Sequence, residues 1–387
     1  MKKAFALILA LIMVMSIAAC GKPAGQSGNT APPANNSTLP VSGTPDVINE
    51  SKTRIITDVL GREVEIPSKV ESIICLGSGA PRLAAYLDAM DMLVGAEDYI
   101  KDGVNVRRDY NPIHHASLLE LPFVGSGGGS GQNNGYPEEI IKVAPDVIIA
   151  GFDLEAANEL QTQTGIPVVS VRHITGLAPT TFYDAMRVLA DVISAQERCE
   201  MILDYVDTML ADLDARTSGI SDSEKLSAYA GAVTWNGRRG FSGTYSVFGI
   251  FDAVNAINVA ADKSIEGFYE ADLEAILTWD PDVIFLDPGN MDLVNGEYAT
   301  NPNYFNSLRA VQEGRVYTMP AFNNAGTNFT YAFMNAYYAG TVLFPEQFAD
   351  VDIAQKSEEI LTTFLGKNTY DMMADAGLYY GQITIGK

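Results

Sequence analysis

Basic residues, cysteine and histidine are all scarce in this 387-residue chain. There are 25 Lys+Arg against 48 Asp+Glu, a formal net charge of −23. A chain this acidic is a poor partner for nucleic acid, whose phosphates need clustered Lys and Arg. It also carries no polybasic surface for anionic lipid. Three cysteines are too few for a disulfide scaffold, and three histidines limit any all-protein metal site. Beyond the N-terminus no stretch has the roughly 18 uninterrupted apolar residues of a spanning helix. Gly-x-Ser-x-Gly, His-Glu-x-x-His and protein-kinase signatures are absent. Residues 125–131 are glycine-rich but lack the Lys-Ser/Thr of a phosphate loop, and read as a loop near a cleft rim.

What remains is ordinary for globular proteins: 47% hydrophobic, 19% charged and 9% aromatic residues, enough for about two or three domains. Lys2 and Lys3 precede an apolar run over 4–19 broken only by Ser16, which is the pattern of a secretory signal. Its end, IAACG at 17–21, resembles a bacterial lipobox in which cleavage leaves Cys20 as the lipid-bearing first residue. The other reading is a plain signal or an uncleaved anchor with an incidental cysteine. Residues 20–52, rich in Gly, Ser, Asn, Pro and Thr, cannot bury an apolar face and read as a flexible tether. The expected organisation is a signal over 1–19, a tether over 20–52 and a body held at the outer face of the cytoplasmic membrane. Cys75 lies in a strand pattern and Cys199 in a helical one. They form either one disulfide or two buried thiols.

The body contains one unit twice. Residues 138–150 read EEIIKVAPDVIIA and residues 274–286 read EAILTWDPDVIFL. Each has a Glu, a short amphipathic helix, a Pro-Asp stop and an apolar run. Proline ends a helix because it lacks the N–H and clashes with the preceding turn. The run suits a strand buried on both faces of a parallel sheet. A 136-residue spacing suggests duplicated lobes, since solenoid repeats run roughly 20–50 residues. Further strand–helix alternation over 72–96, 143–171, 228–256 and 283–319 predicts an α/β fold. The expectation is two Rossmann-like lobes, 53–179 and 219–387, with mostly parallel sheets. One long helix over 180–218 joins them, either as a stiff connector or as a packing helix.

These features resemble the substrate-binding proteins of ABC importers for iron–siderophore, haem and cobalamin. The resemblance rests on residues 57–67 (TDVLGREVEIP) as an opening hairpin, the first βαβ segment, the two Glu…Pro-Asp-Val-Ile units and residues 255–260 (NAINVA). It covers about residues 53–387. It implies two lobes with a ligand cleft between them and limited hinge closure. It implies one glutamate per lobe docking on a permease dimer that works with an ATPase, and by position these are Glu138 and Glu274. Glu139 could replace Glu138, and both glutamates could be mere helix-start carboxylates favoured by the macrodipole. The protein is then a monomeric, lipid-anchored solute carrier. It is not an enzyme and has no cofactor, no bare metal site and no nucleic-acid partner.

Ligands in open α/β sheets bind beyond the C-terminal strand ends. The loops there carry Arg82, then Arg107, Arg108, Tyr110 and the pair His114-His115, then Trp235, Arg238, Arg239, Phe241 and Tyr245. Arginine with aromatics can hold an anionic chelate by charge-assisted hydrogen bonds and stacking. The expected ligand residues are Arg82, Tyr110, Trp235, Arg238, Arg239 and Tyr245. The expected ligand is a ferric siderophore, with a corrinoid or haem as alternative. Against this, the arginines could pair with the chain's own acids, and Trp235 could be core. His114-His115 reads as a surface loop pair. A secreted enzyme using paired carboxylates is the rival class.

Overall fold

The two apolar runs that follow a Pro-Asp pair form inner strands of two parallel sheets. Val147–Ala150 lies between Ile73–Leu76 and Val168–Ser170. Val283–Leu286 lies between Ser227–Gly231 and Val316–Thr318, with Ile257–Asn258 completing the second sheet. Every residue of both inner strands is buried, as helices on each face of a parallel sheet require. This computed structural model describes residues 52–387 apart from 129–131 and 174–175. The signal, the tether and Cys20 therefore lie outside the described residues, as does part of the glycine-rich stretch.

The first sheet continues through a parallel bridge of Leu93 to Ile73 and the parallel pair Ala96–Glu97 with Phe123–Gly125. Ahead of it, Thr53–Thr57 and Glu63–Pro67 form the expected antiparallel hairpin. Within the alternating stretch 228–256, Gly243–Tyr245 is a further strand, and the helix is only Gly249–Ala253.

Each sheet is tied at its base by the same device. Asp146 Oδ2 accepts the backbone N–H of Ser72 at 2.9 Å and its hydroxyl at 3.1 Å. Asp282 Oδ2 accepts the same two donors of Ser227 at 2.9 and 2.7 Å. The repeat thus extends to a Pro-Asp carboxylate that pins the neighbouring strand. Asp146→Ala is expected to cost about 1–2 kcal/mol, the range for orphaning hydrogen-bonding groups. Asp282→Ala, which also strips ion partners from Arg309 and Arg315, is expected to cost somewhat more. The two effects should add in urea titrations, because the sites share no partner.

The expected connecting helix is two helices, Thr180–Ile193 and Gln196–Thr217. Ser194 takes φ 61, and the next N–H, of Ala195, bonds back to Ala190 O at 2.8 Å. A left-handed residue closes the first helix there, so the chain turns and packs the second helix on the first. The stretch expected as one helix is two because the helical pattern on either side masks one αL residue.

The chain from Phe329 onward does not stay within one lobe. In Phe329–Leu343, 13 of 15 residues are buried, the mark of a helix surrounded by core. Phe329 stacks on Phe182 of the helix pair at 3.7 Å. Helix Ile353–Leu365 returns to Ala80–Tyr86 in the first lobe, with Phe364 4.8 Å from Tyr86. One continuous apolar core therefore runs through both lobes. Cys75 and Cys199 are free buried thiols within it, and burial raises the pKa of both.

Candidate functional site

Loops leaving the C-terminal strand ends of both sheets meet each other. Gly79, two residues past the first-sheet turn at Gly77, donates its N–H to Ala325 O at 3.1 Å. Arg108 Nε donates to Asn324 Oδ1 at 2.9 Å. Arg107 Nη1 reaches Asp287, the residue after Val283–Leu286, at 3.9 Å. Adjacent arginines thus contact the second lobe from the first.

The Arg108 guanidinium carbon lies over the Tyr99 ring, 3.6 Å from its centroid. Its Nη1 is buried without a hydrogen-bond partner, and so are Asn134 Oδ1 and Asn323 Oδ1. Buried polar groups almost always find partners, so an orphan guanidinium N–H at a lobe junction is an exception that calls for a reason. Under each rim sits a buried carboxylate. Glu97 Oε1 accepts from Gly77 N at 2.7 Å and Asn134 Nδ2 at 2.9 Å. Burial pushes its carboxyl up to about 7, against the opposing pull of those hydrogen bonds and of Arg108. Asp287 accepts from Thr234 Oγ1 at 2.7 Å and Gly289 N at 2.9 Å. Burial raises it too, opposed by these donors and by Arg107. Neither acid was singled out from the sequence. The signal was present, since each directly follows an apolar strand run.

Two of the expected ligand residues are not on this surface. Arg82 is 1% exposed and bonded to Asp109 Oδ1 at 2.8 Å. Its other nitrogens donate to Ala325 O at 2.8 Å, Asn324 O at 2.9 Å and Asn328 Oδ1 at 2.7 Å. Burial alone would lower its pKa, but Asp109 and the nearby tyrosines more than reverse that. Arg82 therefore joins the lobes and is not free for a solute. The helix Ala80–Tyr86 points its third residue inward, which an N-terminal position alone does not reveal. Tyr110 is buried below Arg82, with its hydroxyl 2.5 Å from that of Tyr99. Tyr99 is the ring that Arg108 covers.

The second lobe brings the remaining four candidates together. Trp235 stacks on Phe268 at 6.3 Å and meets Tyr245 edge-on at 6.1 Å. Tyr245 donates to Thr234 O and accepts from Asn323 Nδ2, both at 3.1 Å. Arg239 sits 5.0 Å over Phe268, donates to Trp235 O at 3.0 Å and lies 3.8 Å from Glu270. Arg238 bonds Asn290 Oδ1 at 3.1 Å and pairs with Asp292. Both arginines are thus engaged by the chain's own acids. Below this ledge a cavity of about 20 Å³, lined by residues including Thr234, Tyr245, Asp287, Phe322 and Asn323, has room for roughly one water.

His114 and His115 are helical, within Asn111–Leu119, because the chain turns into a helix at Asn111-Pro112. His115 Nε2 is 3.0 Å from Ile100 O. Among the described residues no group of three or more His, Cys, Asp or Glu could hold a metal ion. The loops thus bring together the guanidinium groups of Arg107 and Arg108, the buried carboxylates of Glu97 and Asp287, and an aromatic rim.

Glu138 and Glu274 occupy twin seven-residue helices, Pro137–Val143 and Leu273–Trp279. Each helix ends on a left-handed residue, Ala144 at φ 47 and Asp280 at φ 41. Glu139 is held by Lys142 at 2.6 Å. Glu138 and Glu274 are exposed; Lys142 feels Glu138 as well but forms its close ion pair with Glu139, which favours Glu138 over Glu139 as the counterpart of Glu274.

Comparison with known proteins agrees with this architecture. The profile described as periplasmic binding protein matches residues 73–322, well over half of the chain. The molybdate-binding protein MolA of Haemophilus influenzae is 25% identical over 341 residues, covering 78% of this chain and 87% of that one. A solved structure of MolA bound to molybdate aligns at TM-score 0.60 and 22% identity, covering 81% and 98%. A periplasmic solute binding protein from Veillonella parvula aligns at TM-score 0.64 and 19% identity, covering 84% and 97%.

Proposed function

Since the chain belongs to the periplasmic binding protein family, we propose that it captures an anionic solute outside the cytoplasm and delivers it to an ABC permease. The observation that carries this reading is Arg108 Nη1, a buried guanidinium N–H without a partner where the two lobes meet, next to Arg107. An anion seated there would gain charge-assisted hydrogen bonds in a partly desolvated place. A small tetrahedral oxyanion is the first choice. The lobe junction sets Arg107 and Arg108 side by side, and MolA is by name a molybdate binder. An anionic ferric siderophore is the second reading, favoured by the Trp235–Phe268–Arg239 ledge. The basic, apolar N-terminus ending at Cys20 supports a lipid anchor.

The test is calorimetric titration of the mature protein with molybdate, tungstate, sulfate, phosphate and a ferric tris-catecholate. One oxyanion should bind at one per chain. Arg108→Ala should weaken it about 10- to 100-fold, matching roughly 1.5–3 kcal/mol for a hydrogen bond to a charged group. Arg238→Ala with Arg239→Ala should leave it unchanged. The reverse pattern, with the catecholate as ligand, would move the assignment to the ledge. No binding of any anion would overturn the reading.

A further inference from the structure

The twin helices share more than their glutamates. The same 136-residue offset that separates Glu138 from Glu274 separates Ile141 from Leu277. Both are large apolar side chains left in solvent, 50% and 37% exposed. Each lies three residues after its glutamate, hence on the same helix face. Core packing explains the neighbours Ile140 and Ile276, both fully buried, but it does not explain these two. An exposed isoleucine or leucine alone needs no reason. The same exposed residue beside the same exposed carboxylate on both lobes is harder to attribute to chance.

We infer that Ile141 and Leu277 are paired apolar anchors for the outer face of a two-fold-symmetric membrane permease. Each would enter an apolar pocket that lies beside a cation on one permease half. This rests on the reading of the chain as a solute carrier that docks through Glu138 and Glu274. The partner's chemistry follows from the patch. An exposed carboxylate calls for a cation, an aliphatic side chain one turn on calls for an apolar recess, and duplication calls for a partner with two equivalent halves. Rim charges mainly steer encounter and orientation, whereas buried apolar contacts mainly slow dissociation. The two residue types would therefore divide the work of docking.

The experiment places a photo-crosslinking phenylalanine analogue at 138, 141, 274 or 277 of the full chain in the source bacterium. Position 154 serves as control, because Leu154 is also exposed, at 51%, but belongs to another helix. Products are identified by mass spectrometry. Positions 141 and 277 should each capture the membrane-spanning subunit of an ABC importer, and 154 should not. Ile141→Ser with Leu277→Ser should lower capture from position 274 by roughly tenfold, a loss typical of removing a few interface anchors, without changing the melting temperature. Capture from 138 and 274 but not from 141 and 277, or capture from 274 unaffected by the double serine change, would overturn the anchor assignment alone. No permease captured from any of the four would overturn the docking reading beneath it.

Discussion

Arg82→Met is expected to destabilise the protein by about 3–5 kcal/mol, the cost of breaking a buried ion pair from one side. Methionine fills much of the volume, so the loss is electrostatic. Asp109 would stay buried with its carboxylate facing Tyr86 OH at 2.5 Å and Thr330 Oγ1 at 2.9 Å, without its cation. Asn324 O, Ala325 O and Asn328 Oδ1 would lose their donor as well. These acceptors belong to the loop and helix start after Val316–Thr318, so the second lobe should loosen from the first. Arg82→Lys should recover only part of the loss, since one ammonium cannot reach four acceptors that a planar fork serves at once. Adding Asp109→Asn to Arg82→Met should recover much of it by removing the unpaired charge. Urea unfolding checks each case, and a wild-type midpoint for Arg82→Met would show that the pair does not hold the lobes together.

Glu97→Gln is expected to stabilise the protein by about 3 kcal/mol at pH 8 and to change little at pH 4. The folded carboxyl titrates at about 7, against an ordinary value of 4.5. Between those values the folded state holds a proton that the unfolded state has lost, so stability falls as pH rises. At about 1.4 kcal/mol per pH unit, the gap amounts to about 3 kcal/mol, fully lost above pH 7. Glutamine keeps an acceptor for Gly77 N–H and Asn134 and never ionises. His173 acts in the opposite sense. Burial lowers it to about 4, so the unfolded state takes up a proton first as pH falls, and stability drops below about 6.5. The two groups can leave the wild-type profile nearly flat, so the informative quantity is the difference between wild type and variant. A constant difference from pH 4 to pH 8 would show that Glu97 ionises normally. Removing a negative charge near Arg108 should also tighten anion binding at pH 8.

The legible parts of the fold were those written in local pattern. Pro145-Asp146 and Pro281-Asp282 mark the helix stops, and the runs after them are the inner strands. Thr57 and residues 63–67 belong to the hairpin. The bend at Ser194 was not legible, because a single αL serine leaves the helical pattern on both sides intact.

The site divides along the same line. The strand-end rule led to loops that meet one another, and Trp235, Tyr245 and Arg239 do gather there. Within those loops the rule could not say which arginines stay free. Arg82, Arg107, Arg108, Arg238 and Arg239 look alike as residues. Arg82 is closed by Asp109 and three acceptors more than 240 residues away. Arg238 and Arg239 are answered by Asp292 and Glu270, and Arg108 keeps an orphan N–H.

By itself, then, the sequence determined the class of the fold, its duplication and the two helices that carry Glu138 and Glu274. Periodicity, proline stops and repeated spacing act over a few residues and survive in any tertiary context. Tertiary structure alone decided which charges are consumed in joining the lobes and which keep an unanswered N–H. That outcome depends on the partners each guanidinium meets across the lobe junction, and on how far burial weakens water's competition for them.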